Sequence, residues 1–266
     1  MKRKVGEEAY RIVEVDESNI DYYGLFCQKS KKNSEGYRSK VRWVKERFKE
    51  GLRTRLLLVN EGPKRGLTSR GFIENIPGEY TWRGIDAKGY MVIHCIWVVG
   101  RNRAHGYGTM LLEQCEKDAK GMSGVAVVTS DMHWLPGRDL FLKHGFETVD
   151  TMPPYFELLA RRFSDHASLP KFSHVPKQRF EKYQSGITIF KSDQCPYTAD
   201  SMKEITEFGR EHDLPVRIAN VRNCREAQNG IHPYGTYCIL LNGKVVTYRP
   251  IGKNRMNEII TEEMKA

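Results

Sequence analysis

The segment GYMVIHCIWVVG, residues 89–100, constrains the fold most, because it is apolar on both faces of a strand. Alternation places Met91, Ile93, Cys95, Trp97 and Val99 on one face, and Tyr90, Val92, Ile96 and Val98 on the other. A strand with two apolar faces is covered on both sides, so the segment predicts the centre of a sheet in an α/β (α+β) protein.

The flanking sequence alternates between strand and helix patterns. Strands are predicted at AYRIVEV, RLLLV, RGFIENI, GVAVVTS, FETVD and YFELLA. Helices are predicted within residues 20–51, after the turn at residues 100–108 as far as about Lys120, and at GRDLFLKHGF, where Gly145 closes the helix. The pattern therefore indicates a mixed sheet with helices packed on it.

Composition narrows the class of protein. The chain has 266 residues, enough for two ordinary domains. Its net charge of +10 indicates either a solvated surface or an anionic partner, which would be a polyphosphate ligand or a nucleic acid. The six cysteines are scattered without C-x-x-C, which argues against a disulfide framework or zinc site and predicts a cytoplasmic protein. No run approaches the roughly 20 apolar residues of a membrane span.

The central strand leads into GRNRAHGYGTML, residues 100–111, a glycine turn that opens a helix. Unpaired N–H groups at a helix N-terminus attract anions, and glycine lets a ligand approach the backbone, so the turn suits phosphate. The dinucleotide fingerprint fits poorly because Leu111 occupies its third glycine position, and no Gly-Lys-Ser/Thr is present for a P-loop. A tight turn without a ligand remains the alternative on this pattern alone.

The order of elements and the run Arg103-Ala104-His105-Gly106-Tyr107-Gly108 resemble the GNAT acetyltransferase family over roughly residues 8–160. The resemblance implies a GNAT fold with a mixed, mostly antiparallel sheet, acetyl-CoA as substrate and no metal. It also implies that the CoA pyrophosphate and pantetheine contact Val98, Val99, Arg103, Ala104, His105, Gly106, Tyr107, Gly108 and Thr109.

The same resemblance implies direct attack of an amine on the thioester, with a base on the central strand. His94 lies there, on the predicted face of Val92 and Val98, and an imidazole with a pKa of about 6.5 suits this role. A hydrogen-bonded core histidine is the alternative interpretation.

The family's acid is a tyrosine four residues before the glycine that ends the second helix, and here that position is Phe141. Phenylalanine has no proton to give, so another group protonates the thiolate, or the thiolate leaves unassisted. Asp131, His133 and Tyr155 are the substitutes that the sequence offers.

A Pro-, Ser- and Lys-rich stretch at 161–185 reads as a linker with a short helix near KQRFEKY. Residues 186–266 then read as strand, helix, strand, hairpin around Asn242-Gly243, and helix. This order resembles the thioredoxin fold, CPYT resembles the glutaredoxin active-site turn, and the domain order resembles GNAT proteins with a YoaP-like C-terminal domain.

That turn departs from the glutaredoxin pattern at two positions. Thr198 replaces the second cysteine, and Gly235 stands where the family has a cis-proline. Cys195 is an accessory thiol in one interpretation, whereas in the other the domain serves for binding or as a homodimer interface.

The sequence thus predicts an acyl-CoA-dependent N-acyltransferase that acetylates an amine. The identity of this amine does not follow from the sequence. The alternatives are a catalytically weak acyl-CoA sensor, suggested by Phe141, and a monothiol redox protein using Cys195. A nucleic acid is disfavoured as the partner, because the sequence contains no known nucleic-acid-binding motif beside its positive charge.

Overall fold

A computed structural model describes residues 9–103, 105–132, 134–174 and 177–263. The strands are β1 Tyr10–Val15, β2 Arg53–Asn60, β3 Leu67–Pro77, β4 Ile85–Asp86, β5 Tyr90–Val98, β6 Gly124–Ser130, β7 Glu147–Met152, β8 Phe156–Arg162, β9 Lys171–Phe172, β10 Ile187–Lys191, β11 Val216–Asn220, β12 Tyr237–Leu241 and β13 Lys244–Thr247. The helices are α1 Ile20–Tyr23, α2 Glu35–Phe48, α3 Tyr107–Asp118, α4 Asp139–Lys143, α5 Thr198–Glu211, α6 Cys224–Gln228 and α7 Lys253–Glu263, with 3-10 turns at Gly78–Tyr80, Gly100–Asn102 and Lys177–Tyr183.

The chain forms two compact units. The first holds the chain as far as Lys29, Lys45–Tyr80 and Ala87–Lys171, and the second holds Ser30–Val44, Thr81–Asp86 and the chain from Phe172 onward. Two early segments thus group with the C-terminal residues. Contacts between elements distant in sequence determine this grouping. The local periodicity of the sequence therefore could not predict it.

The first unit is built on a seven-stranded sheet in the order β1-β2-β3-β5-β6-β8-β7. Only β5 and β6 run parallel; the remaining neighbours are antiparallel. The strand that is apolar on both faces, β5, is the middle one, as predicted. The expectation of a mixed, mostly antiparallel sheet is confirmed.

One face of this sheet packs on α3 and α4. The shared core includes Leu57, Ile73, Met91, Ile93, Ile96, Leu111, Leu112, Cys115, Val125, Val127, Phe141 and Leu159. Helix α3 contributes Leu111 and Cys115 to this core, and both are 0% exposed. The last turn of α3 is held by Asp118, whose Oδ1 accepts a hydrogen bond of 2.7 Å from Nη2 of the buried Arg55 on β2.

The predicted facing of β5 is wrong in the second half of the strand. Glu74 of β3 pairs with Cys95, but the next residue along β3 pairs with Ile93, so His94 is an extra residue at a β-bulge. A bulge resets the alternation of faces. Ile93, Ile96 and Val98 therefore share the α3 face, whereas Cys95 turns to the opposite face and is half-buried.

The second unit contains a four-stranded sheet in the order β11-β10-β12-β13. Strands β10 and β11 are parallel and connected through α5, whereas β12 is antiparallel to both β10 and β13. The predicted hairpin is confirmed: Asn242 and Gly243 have φ values of 47° and 81°, as a type I′ turn requires. Helix α6 was not predicted. Within the stretch predicted as a linker, Tyr183 is buried against Phe190.

Candidate active site

The two parallel strands of the first unit separate halfway along their length. Pairing between β5 and β6 runs from Tyr90 with Gly124 to Ile93 with Val127 and stops there, although β5 continues to Val98 and β6 to Ser130. The separation begins at the His94 bulge, because an extra residue bends the strand that carries it. A gap between strand edges thus opens inside the sheet.

Backbone groups of β5 point into this gap. The N–H of Val99 donates to the carbonyl of Arg70 at 2.9 Å, on the β3 side. Peptide groups alternate in direction along a strand, so those of Ile96 and Val98 point towards β6. The Val98 carbonyl accepts a hydrogen bond of 3.2 Å from Nε of Arg103. Of the two predicted strand residues, Val98 therefore directs its N–H into the gap while its carbonyl accepts from Arg103, whereas the N–H of Val99 donates to β3.

The glycine turn lies directly beyond the end of β5. The chain passes through the 3-10 turn Gly100–Asn102 and reaches Gly106, which has φ +75° and immediately precedes α3. An added Cβ at Gly106 would meet no atom within 4 Å, so the space over this turn is open. The first N–H groups of α3 have no intrahelical acceptor and carry the positive end of the helix dipole. The turn therefore has the geometry of an anion site, and its residue Ala104 lies outside the described residues.

Two side chains that were not predicted as part of the site, His144 and Trp97, support this turn. Oγ1 of Thr109 and Nε2 of His144 lie 2.9 Å apart, which connects the first turn of α3 to the end of α4. The Arg103 guanidinium lies 4.6 Å from the ring centre of Trp97, which is 43% exposed. In the sequence, only the position of His144 next to Gly145 indicated that His144 could lie near the turn. Nothing in the sequence indicated the bulge that turns Trp97 towards Arg103.

The candidate base His94 is buried at the bulge, 1% exposed. Its Nδ1 lies 3.9 Å from Oε1 of Glu74, itself only 2% exposed. The predicted grouping of His94 with Val98 on one face is wrong, because the bulge between them shifts Val98 to the α3 side. His94 thus lies where the two parallel strands begin to separate, next to a carboxylate.

The residues considered for the acid have different surroundings. Phe141 is 0% exposed and packs edge-on against Phe146 with ring centres 5.4 Å apart. Asp131 is exposed directly after β6, and Tyr155 is half-buried beside Phe156. His133 lies outside the described residues. The core position of Phe141 means that it serves packing between α4 and the sheet.

Cys195 belongs to the second unit and is half-buried. The helix after it begins at Thr198 rather than at the cysteine, and Oγ1 of Thr198 donates to the Cys195 carbonyl at 2.9 Å. The threonine that replaces a second cysteine therefore closes the turn by a hydrogen bond.

The described part of the chain holds no group of three or more His, Cys, Asp or Glu residues arranged for a metal ion. In that same part, every helix is too short or too polar to cross a bilayer.

A mixed sheet whose two parallel strands separate beside a glycine turn and a helix N-terminus defines a GNAT-like fold. The chain is 28% identical over 253 residues to an uncharacterised N-acetyltransferase, YoaP, of Bacillus subtilis (strain 168), covering 93% of this chain and 97% of that protein. No protein-family model matches the chain.

Solved structures with similarity to the chain include two acetyltransferase complexes. The PaiA N-acetyltransferase of Thermoplasma acidophilum with coenzyme A is 15% identical, with a TM-score of 0.40, over 59% of this chain and 100% of that one. YncA of Salmonella typhimurium with acetyl-CoA is 14% identical, with a TM-score of 0.43, over 60% and 98% of the respective chains.

Proposed function

We propose that this chain is an acyl-CoA-dependent N-acyltransferase that transfers an acetyl group directly from acetyl-CoA to an amine. The observation that carries the proposal is the gap between β5 and β6, which ends at the Gly106 turn and the N-terminus of α3. A strand edge suits an extended amide-bearing arm, and a helix N-terminus suits a pyrophosphate. The order of these two features along one strand matches the order of the two parts of CoA.

The binding residues follow from this arrangement. The N–H of Val98 pairs with the pantetheine arm, and the amides of Gly106, Tyr107, Gly108 and Thr109 hold the pyrophosphate. Arg103 and His105, both exposed beside the turn, add positive or hydrogen-bonding groups at the phosphates. Val99 contributes by fixing the turn through its bond to Arg70 rather than by touching the substrate.

In the transfer step, the amine nitrogen attacks the thioester carbonyl, the C–N bond forms and the C–S bond breaks. Backbone N–H groups at the end of β5 stabilise the developing oxyanion. His94 takes the amine proton, directly or through a water molecule, and Glu74 stabilises the imidazolium that forms. The CoA thiolate leaves without a tyrosine acid, which its ordinary pKa of about 8–9 permits.

A catalytically weak acyl-CoA sensor is the second candidate, and the burial of Phe141 at the acid position favours it. Release of CoA thiol from acetyl-CoA, measured against a panel of amines, separates the two candidates. Turnover with any amine of the panel supports the transferase. Tight acetyl-CoA binding without turnover across the panel would support the sensor instead.

For the C-terminal residues we propose a thioredoxin-like domain at 186–266, after a transferase domain at 1–160 and a linker at 161–185. The parallel β10–β11 pair joined by α5, followed by the antiparallel β12 and β13, supports this. The early segments Ser30–Val44 and Thr81–Asp86 are accessory to this domain in that scheme. Six free cysteines agree with a cytoplasmic location.

A further inference from the structure

The second unit contains a cavity that the proposed acyl transfer does not use. Its volume is about 510 Å³, within the usual range for sites that bind small organic molecules. Its walls come from the ends of β10 and β11, from α6 and from the loop before β12, including Phe190, Ala219, Arg225, Ile231 and His232.

The polar centre of the cavity wall is His232, which is 2% exposed. The backbone N–H of Gly235 donates to its Nδ1 at 3.1 Å, so the ring proton of the neutral imidazole lies on Nε2. Burial, with a smaller contribution from the positive charge of Arg83, lowers the pKa of His232 to about 3. The ring is therefore neutral at physiological pH and acts as a donor at Nε2.

No acceptor for this Nε2–H is found among the described residues. The ring has aromatic neighbours, with centres 6.4 Å from Phe190 and 5.9 Å from Tyr248, and its hydrogen bond is at Nδ1. Nε2 is not among the fully buried polar atoms without a partner in the described residues, and His232 lines the cavity. This donor is therefore open to a hydrogen-bond acceptor on the cavity side.

The rest of the wall is mostly apolar. Phe190 packs edge-on against Tyr183 with ring centres 4.9 Å apart, and Ile231 belongs to the same cluster. These side chains present an aromatic and aliphatic surface rather than a set of polar groups. They fit an apolar body on the ligand.

The exposed side chains of the lining carry two positive charges and one negative charge. Arg225 and Lys182 are exposed and line the cavity, and within the described chain no carboxylate forms an ion pair with Arg225. One acid, Glu226, also lines the cavity, and it accepts from the N–H of Arg222 at 2.8 Å and from Nδ2 of Asn223 at 3.2 Å rather than from Arg225. The two basic side chains therefore leave an excess of positive charge at the cavity for an anion.

We propose that this cavity binds a small carboxylate with an aromatic or branched aliphatic body. A carboxylate oxygen accepts the Nε2–H of His232, Arg225 balances the negative charge, and the apolar body packs on Phe190 and Ile231. No covalent step is involved.

Isothermal titration of the full-length protein with phenylacetate tests the proposal, with phenylacetamide and acetate as matched probes. Phenylacetamide keeps the apolar body without the charge, and acetate keeps the charge without the body. Each is expected to bind at least about tenfold more weakly than phenylacetate, because each lacks one of the two complementary features. Failure of phenylacetate to bind, or equal affinity for all three probes, would overturn the proposal.

Three variants locate the site. Arg225→Gln is expected to weaken phenylacetate binding about tenfold, and Ala219→Phe, which fills the cavity from β11, to abolish it. Arg222→Gln is the matched control, since Arg222 is exposed two residues before α6 and does not line the cavity. Loss in the control equal to that in Arg225→Gln, or wild-type affinity in Ala219→Phe, would place the binding elsewhere. Acetyl-CoA binding, measured in parallel, reports folding and tests the transferase proposal separately.

Discussion

Replacing Gly106 by alanine separates backbone strain from the loss of an anion site. Gly106 has φ +75°, and Gly121, beyond the other end of α3, has φ +86°. At neither position would an added Cβ meet an atom within 4 Å, and both residues are exposed. Gly121→Ala is therefore a matched control that carries the strain but lies away from the turn.

The two substitutions are expected to cost the same stability. An L-residue in the left-handed region loses about 1 kcal/mol, and no packing is disturbed at either position. Only Gly106→Ala places a methyl group over the open N-terminus of α3, where the proposed pyrophosphate is bound. Losing two charge-assisted bonds from backbone N–H groups costs about 3 kcal/mol, or about 100-fold in Kd.

Urea denaturation measures the free energy of unfolding for each variant, and calorimetry measures the Kd of acetyl-CoA. We expect similar unfolding free energies for the two variants and a large loss of affinity in Gly106→Ala alone. Wild-type affinity in Gly106→Ala, or an equal loss in Gly121→Ala, would refute the assignment of the turn.

Three further predictions concern other parts of the chain. His94→Ala is expected to remove the rise of log(kcat/KM) with pH, and a folded variant with the wild-type profile would make His94 a core residue. Cys195→Ser is expected to keep transfer to a small amine. In the wild type, iodoacetamide is expected to label Cys195 before Cys115, because burial raises the pKa of the Cys115 thiol well above its ordinary value; mass spectrometry showing the reverse order would contradict this. Asp118→Asn is expected to lower the free energy of unfolding by about 1–2 kcal/mol, because Arg55 loses its buried charged partner and keeps only the more exposed Glu14, and a urea midpoint equal to the wild type would disprove it.

Much of the fold was predictable because its signals are local. The apolar residues on both faces of β5 predicted its central position, and Asn242-Gly243 predicted the hairpin because these residues tolerate positive φ. The glycine turn before α3 was found in the same way, since Gly106 fits the left-handed conformation at a helix start.

The remaining features depend on contacts that periodicity does not encode. The bulge at His94 results from how β3 pairs with β5, and HCIW reads as an unbroken strand by itself. Facing predictions beyond that point therefore failed for Cys95 and Val98. The link between Thr109 and His144 joins residues 35 positions apart, so no local pattern could report it.

The gap between β5 and β6 has a consequence for how this chain tolerates change. Its hydrogen-bonding groups belong to the main chain, which is the same whatever side chains Ile96 and Val98 carry. Exchanges among apolar side chains that still fill the core against α3 leave these groups in place, so the proposed acyl-donor half of the site tolerates them. The deletion of one residue at the bulge is instead expected to make the pairing of β3 with β5 regular and to remove the bend at which β5 leaves β6. We therefore expect the length of this strand to be more tightly constrained than its composition.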